Sequence, residues 1–125
     1  MSHFIALSDL KNREVTKGIT LDFFHTEHLT VAFTTLKAGR EIPLHHHIHE
    51  TIDIVIDGEL QMQVGETNGV LKRGMISNVP SNIPHKAQAI TDCRVITVFY
   101  PLREDLKKGA GLPATAAVRE LAAEQ

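Results

Sequence analysis

The chain of 125 residues fits one domain, and its 42% of hydrophobic residues suffice for a core of ordinary size. Its 13 basic and 15 acidic side chains give a net charge of −2 without a basic stripe, which argues against a nucleic-acid-binding protein. No apolar run is long enough to span a bilayer, and we expect no signal peptide. The single cysteine, Cys93, excludes a disulfide within the chain. We therefore expect a cytoplasmic protein that binds neither nucleic acid nor membranes.

The segment 21–106 has the pattern of short strands separated by turns. β-Branched and aromatic residues are concentrated at 29–36 and 95–100. Residues 51–65 alternate twice between apolar and other side chains, and Asp57-Gly58 between the two runs is typical of a tight hairpin. This regular spacing, with little helix in between, predicts an all-β domain built as an antiparallel barrel or sandwich.

Two segments flank this predicted barrel. Residues 1–20 form an N-terminal segment, and 107–125 form a C-terminal extension. The extension is predicted to be helical from about residue 114, because Pro113 precedes a run of good helix formers.

Four of the five residues from 45 to 49 are histidines. On a strand, side chains two residues apart point the same way, so His45 and His47 can both face the barrel interior. His46 has the opposite parity and is expected at the surface. His49 has the right parity for a metal ligand, but it falls where a turn is expected and is the weaker candidate.

Two glycine-led stretches carry a more specific pattern, and together they resemble the two motifs of the cupin superfamily. The first, 39–58, follows G-x5-H-x-H-x3-E-x6-G, and the second, 74–89, follows G-x5-P-x-G-x2-H-x3-N. The matching residues are Gly39, His45, His47 and Gly58 in the first motif, and Gly74, Pro80 and His85 in the second. Thr51 stands at the Glu position, whereas Asn82 and Ala89 replace the second Gly and the final Asn.

The cupin resemblance implies a fold and a metal. The fold would be a single double-stranded β-helix, a jelly-roll barrel of the RmlC-like kind, followed by the short C-terminal helix. His85 would join His45 and His47 as ligands of one divalent transition metal, which could be zinc, nickel, manganese or iron. Imidazole ligands suit zinc, iron and nickel. Thr51 stands where cupins supply a fourth ligand, Glu or Gln, and is not expected to bind the metal directly.

A narrower resemblance lies in "VITVFYPLREDL", residues 95–106. It is similar to the end of the KdgF-type cupins of pectin and alginate breakdown, which open the ring of 4,5-unsaturated uronates. That resemblance implies that Phe99 lines the pocket and Arg103 holds a substrate carboxylate. Thr97 stands in place of the catalytic Asp of that pattern. The alternatives are a core position for Phe99 and a surface ion pair of Arg103 with Glu104 or Asp105.

Asp53 is the other candidate for chemistry. It shares its strand face with Thr51, so its carboxylate should point into the cavity, where an ionisable group needs a partner or a function. It could orient a ligand histidine or act as a general base. In the second case Asp53 would supply, from another strand, the carboxylate that is missing at position 97. The alternative is that the strand twists and Asp53 meets solvent at the barrel mouth.

Three functions remain open from the sequence. The first is a metal-dependent enzyme that isomerises or opens the ring of a small anionic sugar acid. The second is a three-histidine iron dioxygenase, favoured by the missing fourth ligand. The third is a cupin that binds a small molecule without catalysis. In each case we expect a small-molecule partner and a homodimer, with the apolar face of Ile52, Ile54 and Ile56 as the surface to be covered.

Overall fold

The computed structural model describes residues 3–10 and 13–108. In this part of the chain ten strands form two antiparallel sheets, and a single-turn helix, α1, follows the last strand. The strands are β1 (Arg13–Thr16), β2 (Ile19–His25), β3 (Thr30–Leu36), β4 (Glu41–His45), β5 (Glu50–Asp57), β6 (Glu59–Val64), β7 (Thr67–Lys72), β8 (Ile76–Val79), β9 (His85–Ala89) and β10 (Cys93–Tyr100), α1 is Glu104–Lys108, and a 3-10 turn covers Leu7–Asp9.

The strand order is β1-β2-β3-β10-β5-β8 in one sheet and β4-β9-β6-β7 in the other. This confirms the prediction of an all-β jelly-roll domain. The helix predicted from about residue 114 lies outside the described residues. Among the described residues, no helix has the length and hydropathy needed to cross a membrane.

The sequence pattern predicts that the barrel begins at residue 21. In the structure, strand pairing begins earlier in the chain, at β1. Strand β1 pairs with β2, and Arg13 lies opposite Leu21. The side chains of Val15 and Ile19 are buried in the core. Part of the segment 1–20 therefore belongs to the six-stranded sheet.

The core lies between the two sheets, where alternate side chains of each strand point inward. In β10, Val95, Thr97 and Phe99 are buried while their neighbours are more exposed, as period-two alternation requires. The apolar core is Val15, Ile19, Leu21, Leu36, Val55, Leu60, Met62, Leu71, Val79, Ala89, Cys93 and Val95. The inward-facing residues near one end of the barrel are polar, and these form the site described below.

The prediction of a hairpin at Asp57-Gly58 is wrong. Strand β5 pairs with β10 and β8, whereas β6 pairs with β7 and β9, so the chain passes from one sheet to the other at Gly58. The alternation of apolar and polar side chains shows only that each strand has one buried face. A chain that crosses to the facing sheet produces the same alternation as a hairpin does. Gly58 has a φ of 90°, and a Cβ atom there would lie 2.2 Å from the carbonyl oxygen of Asp92.

We expect Gly58→Ala to lower the free energy of unfolding by at least about 2 kcal/mol, because it adds a backbone clash to a left-handed conformation. Chemical denaturation of both proteins measures the change. The control is Gly69→Ala in β7, where a Cβ atom meets nothing within 4 Å. Equal stability of the Gly58 variant and the wild type would contradict the close approach seen at this corner.

Candidate metal centre

Three buried histidines meet at one end of the barrel. Strands β4 and β9 pair so that His45 lies opposite His85, with ring centroids 4.2 Å apart. His47 follows β4 by two residues, and its ring centroid is 5.0 Å from that of His85 and 5.4 Å from that of His45. The spacing of two residues and the cross-strand register thus bring together the three residues that the sequence singled out.

Backbone carbonyl groups fix the orientation of all three rings. His45 Nδ1 donates to the carbonyl oxygen of Pro43 over 2.8 Å, and His85 Nδ1 donates to that of Ile83 over 2.8 Å. His47 Nδ1 donates to the carbonyl oxygen of His49 over 3.0 Å. Since a carbonyl can only accept, the proton of each neutral ring is on Nδ1, and Nε2 keeps its lone pair for a metal.

The surroundings keep these imidazoles neutral. Burial lowers the pKa of His45 to about 4, with a further contribution from His85. Burial and then the charge of Arg103 lower the pKa of His47 to about 3. Burial also lowers the pKa of His85. Neutral rings are the form in which histidine binds metal ions, so at neutral pH no proton has to be displaced.

The arrangement fits one metal ion. One ring nitrogen from each histidine can be chosen so that all three lie within 4.8 Å of one another. Three imidazoles that hold a metal from one side leave coordination positions open, which is typical of catalytic sites and not of structural ones. Imidazole ligands suit zinc, nickel and iron, and the donor set does not decide among these metals and manganese.

His49 and Thr51 lie beside this group and not in it. Both side chains are buried. The His49 ring centroid is 5.4 Å from that of His47, and the Thr51 hydroxyl donates to the carbonyl oxygen of His49 over 3.5 Å. The same carbonyl accepts from His47, so this turn holds the His47 ring through its backbone.

Asp53 points into the same cavity, as its parity predicts. It lies directly across from Thr97 in the pairing of β5 with β10. The Thr97 hydroxyl donates to its Oδ1 over 2.7 Å, and the Ser77 hydroxyl donates to its Oδ2 over 2.9 Å. Burial raises the pKa of Asp53, although both hydrogen bonds oppose the shift. Because its pKa is raised, this carboxylate takes up and releases a proton at a pH nearer to neutral than an exposed carboxylate does.

Arg103 is 0% exposed, so the alternative of a surface ion pair is wrong in its location. Its Nε and Nη2 donate to the carboxylate of Asp105 over 2.9 Å and 2.6 Å, so an ion pair exists, but it is buried on the arginine side. Its guanidinium carbon lies 4.8 Å from the ring centroid of Phe99. Burial alone would raise the pKa of Asp105, but Arg103 lowers it below the usual value.

Phe99 joins these groups. Its ring centroid is 5.8 Å from that of His47 and 6.4 Å from that of His49. Together with the three histidines, Asp53 and Arg103, it lines an inner cavity of about 100 Å³ whose deeper wall is aliphatic. Phe99 is therefore both a core residue and part of the cavity wall.

Ser77 is the contact that sequence reasoning missed, whereas Asp105 was one of the two partners considered for Arg103. Ser77 lies opposite Asp53 in the pairing of β5 with β8. Asp105 is two residues beyond Arg103 in α1. The spacing of Arg103 and Asp105 offered Asp105 as one of two partners, whereas the register that selects Ser77 is invisible without the fold.

We expect His85→Ala to abolish stoichiometric metal binding, because it removes the one ligand that comes from β9. Elemental analysis of untagged protein should give about one transition metal per chain in the wild type and a small fraction of that in the variant. His28→Ala is the control, since His28 is exposed and outside the group. Equal metal contents in the two variants would argue against this centre.

Comparison with known proteins finds a matching family and a relative of similar length. The cupin domain family matches residues 32–99 of the chain. An uncharacterized protein from Streptomyces coelicolor is 29% identical over 90 residues, which are 71% of this chain and 86% of that protein.

Solved structures extend the similarity to the whole barrel. An RmlC-like cupin from Shewanella frigidimarina superposes with a TM-score of 0.79 at 25% identity, over 85% of this chain and 96% of that one. KdgF from Halomonas sp. superposes with a TM-score of 0.79 at 25% identity, over 85% of this chain and 99% of that one.

Proposed function

The chain belongs to the cupin family, and on that basis we propose that it is a metal-dependent enzyme that acts on a small anionic sugar acid. The reaction that we favour is the ring opening of a 4,5-unsaturated uronate, as the resemblance to KdgF-type cupins implies. The observation that carries the proposal is the joint position of three histidines that could hold a metal and one partly buried carboxylate in a single cavity. The single cysteine supports a cytoplasmic location, which stays a prediction.

His45, His47 and His85 would hold the metal through Nε2. When bound, a divalent transition metal supplies a Lewis acid that polarises a carbonyl or hydroxyl oxygen. Thr51 adds no negative charge to this ligand set, so more of the metal's charge would act on the substrate.

Asp53 is the residue that we propose for proton transfer. It lies across the strand pair from Thr97, the position at which KdgF-type cupins carry their catalytic Asp. The hydroxyls of Thr97 and Ser77 hold one carboxylate oxygen each, so the group has a fixed direction. Its raised pKa suits a group that must both accept and return a proton near neutral pH.

Phe99 and Arg103 would position the substrate. Stacking of the Arg103 guanidinium over Phe99 and its ion pair with Asp105 restrict its orientation. The guanidinium lines the inner cavity, and its charge contributes to the lowered pKa of His47 and His49, so it acts on the site electrostatically. A fixed positive charge at this place would favour the carboxylate end of a substrate.

We expect Asp53→Asn to reduce turnover of an unsaturated uronate by about 100-fold or more, because the amide cannot exchange the proton. Loss of the substrate's ultraviolet absorbance measures turnover, and elemental analysis should show unchanged metal content. The raised pKa means that the ionised carboxylate destabilises the fold at pH values above that pKa. The variant should therefore unfold at the same or a higher temperature at neutral pH.

Ser77→Ala is the matched control for this variant. It removes one hydrogen bond to the carboxylate and keeps the carboxylate itself, so we expect a loss of turnover of less than about 10-fold. Unchanged turnover in Asp53→Asn, with the wild type active, would rule out the assigned role.

A three-histidine dioxygenase is the second candidate. The observation in its favour is the neutral ligand set, in which Thr51 replaces the usual carboxylate or amide and does not belong to the group of ligand nitrogens. Iron in the isolated protein, together with oxygen consumption and no uronate turnover, would favour this function. Tight binding of a sugar acid without any turnover would instead favour a binding protein.

We also propose that the protein is a homodimer. The isoleucine face, defined here as Ile52, Ile54, Ile56 and Ile76, lies on the outer side of the six-stranded sheet, where Ile54 pairs across the strands with Ile76. Ile52, Ile56 and Ile76 are 39%, 38% and 63% exposed. A contiguous apolar surface of this kind is typical of an interface, and an antiparallel sheet face suits a second copy related by a two-fold axis.

We expect the double variant Ile52→Glu/Ile76→Glu to be a monomer, because charges replace apolar side chains at the centre of this face. Sedimentation or light scattering measures the mass, with the wild type at twice the mass of one chain. Ile90→Glu is the control, since Ile90 is 49% exposed but lies outside the isoleucine face. A wild type that sediments as a monomer would refute the dimer.

A further inference from the structure

The inner cavity continues past Asp53 into the barrel, away from the histidines. Along β10 the inward-facing side chains are Phe99, which contacts His47, then Thr97, which lies opposite Asp53, and then Val95. Each step of two residues along a strand covers about 7 Å. We call the part of the cavity beyond Asp53 the deep end. It is lined by Leu21, Thr34, Leu60, Met62 and Val95.

Both sheets supply aliphatic side chains to the deep end. In the six-stranded sheet, Thr34 of β3 lies between Leu21 of β2 and Val95 of β10. In the facing sheet, Met62 lies two residues from the position in β6 that pairs with His85. Thr34 is the one polar side chain among the five that define the deep end. A molecule that enters there meets carbon atoms on every side except at the Thr34 hydroxyl.

The Thr34 hydroxyl has no partner within the protein, as far as the described part of the chain shows, whereas the Thr97 hydroxyl donates to Asp53. Thr34 is 7% exposed. Its hydroxyl is not among the polar atoms that are sealed from solvent without a partner, so its free surface faces the cavity that the residue lines. This oxygen is therefore available to a molecule in the deep end.

Packing alone does not explain a threonine at this position. A buried hydroxyl that makes no hydrogen bond costs about 1–3 kcal/mol, and valine has nearly the same shape without that cost. Buried polar groups in native proteins almost always have a partner. Since no group of the described residues takes this role for Thr34, its partner is a group of a bound molecule.

The size and walls of the cavity limit what this molecule can place there. The inner cavity has a volume of about 100 Å³, which equals that of about three water molecules in the liquid at ~30 Å³ each. The deep end therefore admits a short chain or one edge of a ring. An oxygen atom that faces the aliphatic wall loses its hydration without compensation, so one oxygen near Thr34 with carbon around it fits best.

From this geometry we propose that Thr34 determines substrate specificity: its hydroxyl binds one oxygen atom of the part of the substrate that enters the deep end. The inference rests on the proposed function, because it takes the substrate to be a small acid held at the metal centre. It adds a contact to those described above, since Thr34 belongs neither to the group of ligand histidines nor to the hydrogen bonds of Asp53.

The test compares two acids of equal size that differ in one oxygen. 4-Hydroxybutyrate and pentanoate have the same number of non-hydrogen atoms, and a terminal hydroxyl in the first corresponds to a methyl group in the second. Calorimetry measures their dissociation constants with metal-loaded wild type, Thr34→Val and Thr34→Ser. Valine replaces the hydroxyl by a methyl group, whereas serine keeps the hydroxyl. Metal content and the temperature of unfolding are determined for each protein.

We expect the wild type to bind 4-hydroxybutyrate more tightly than pentanoate. Thr34→Val should weaken binding of 4-hydroxybutyrate by roughly 5- to 10-fold and leave pentanoate bound as tightly or more tightly. Thr34→Ser should keep the preference of the wild type. Metal content should not change, and Thr34→Val should not unfold at a lower temperature, because no hydrogen bond within the protein is lost. A purely structural role would change the binding of both acids alike.

The other outcomes overturn the inference and show whether the proposed function falls with it. If the wild type has no preference, or if Thr34→Val affects both acids alike or neither, the hydroxyl binds water only. If the wild type turns over an unsaturated uronate but binds neither acid, the deep end is not a substrate site, and the proposed function stands. If the metal-loaded wild type neither binds these acids nor turns over the uronate, the proposed function fails, and the role of Thr34 fails with it.

Discussion

The site depends on three hydrogen bonds from histidine Nδ1 atoms to backbone carbonyls. Each accepting carbonyl is two residues from its histidine, at Pro43, His49 and Ile83, so the local backbone alone sets the ring orientations. Because those carbonyls lie within β4, just before β9 and just before β5, the pairing of His45 with His85 positions two of the three rings. A change that moved either strand end would rotate the lone pairs away from a common point.

The position of the carboxylate follows from the sheet and not from the motif. Positions 53 and 97 face each other across two neighbouring strands, so a carboxylate at either one reaches the same part of the cavity. With Asp at 53, a hydroxyl at 97 becomes the natural complement, because two facing carboxylates would repel each other. The threonine that seemed a loss in the sequence is, in the fold, a hydrogen-bond donor to Asp53, the residue that we propose for proton transfer.

Features of the fold and the site could be predicted where they depend on residues close together in the sequence, and not where they depend on distant ones. His45 and His47 could be found because their spacing reflects strand geometry within a few residues, and the direction of Asp53 followed from parity alone. His85 was predicted only through the resemblance to the second cupin motif. The sheet switch at Gly58 and the contact of Ser77 with Asp53 could not, since both depend on pairing between distant strands. An ion pair of Arg103 with Glu104 or Asp105 was the alternative at the surface; the structure pairs it with Asp105 but buries the arginine, because of how α1 packs on the barrel, which no local pattern encodes.

Charge balance bears on the proposal that an anion binds beside Asp53 and Asp105. The three histidines are neutral, and Asp105 offsets the charge of Arg103 in the net count, although Arg103 still acts locally on His47. A divalent ion on the histidines together with the carboxylate of Asp53 would leave one positive charge in a cavity with a largely aliphatic wall. Uncompensated charge is strongly unfavourable in such surroundings, so one further negative charge is needed. A ligand with a single carboxylate satisfies this requirement, whereas a dianion would restore an imbalance of the opposite sign.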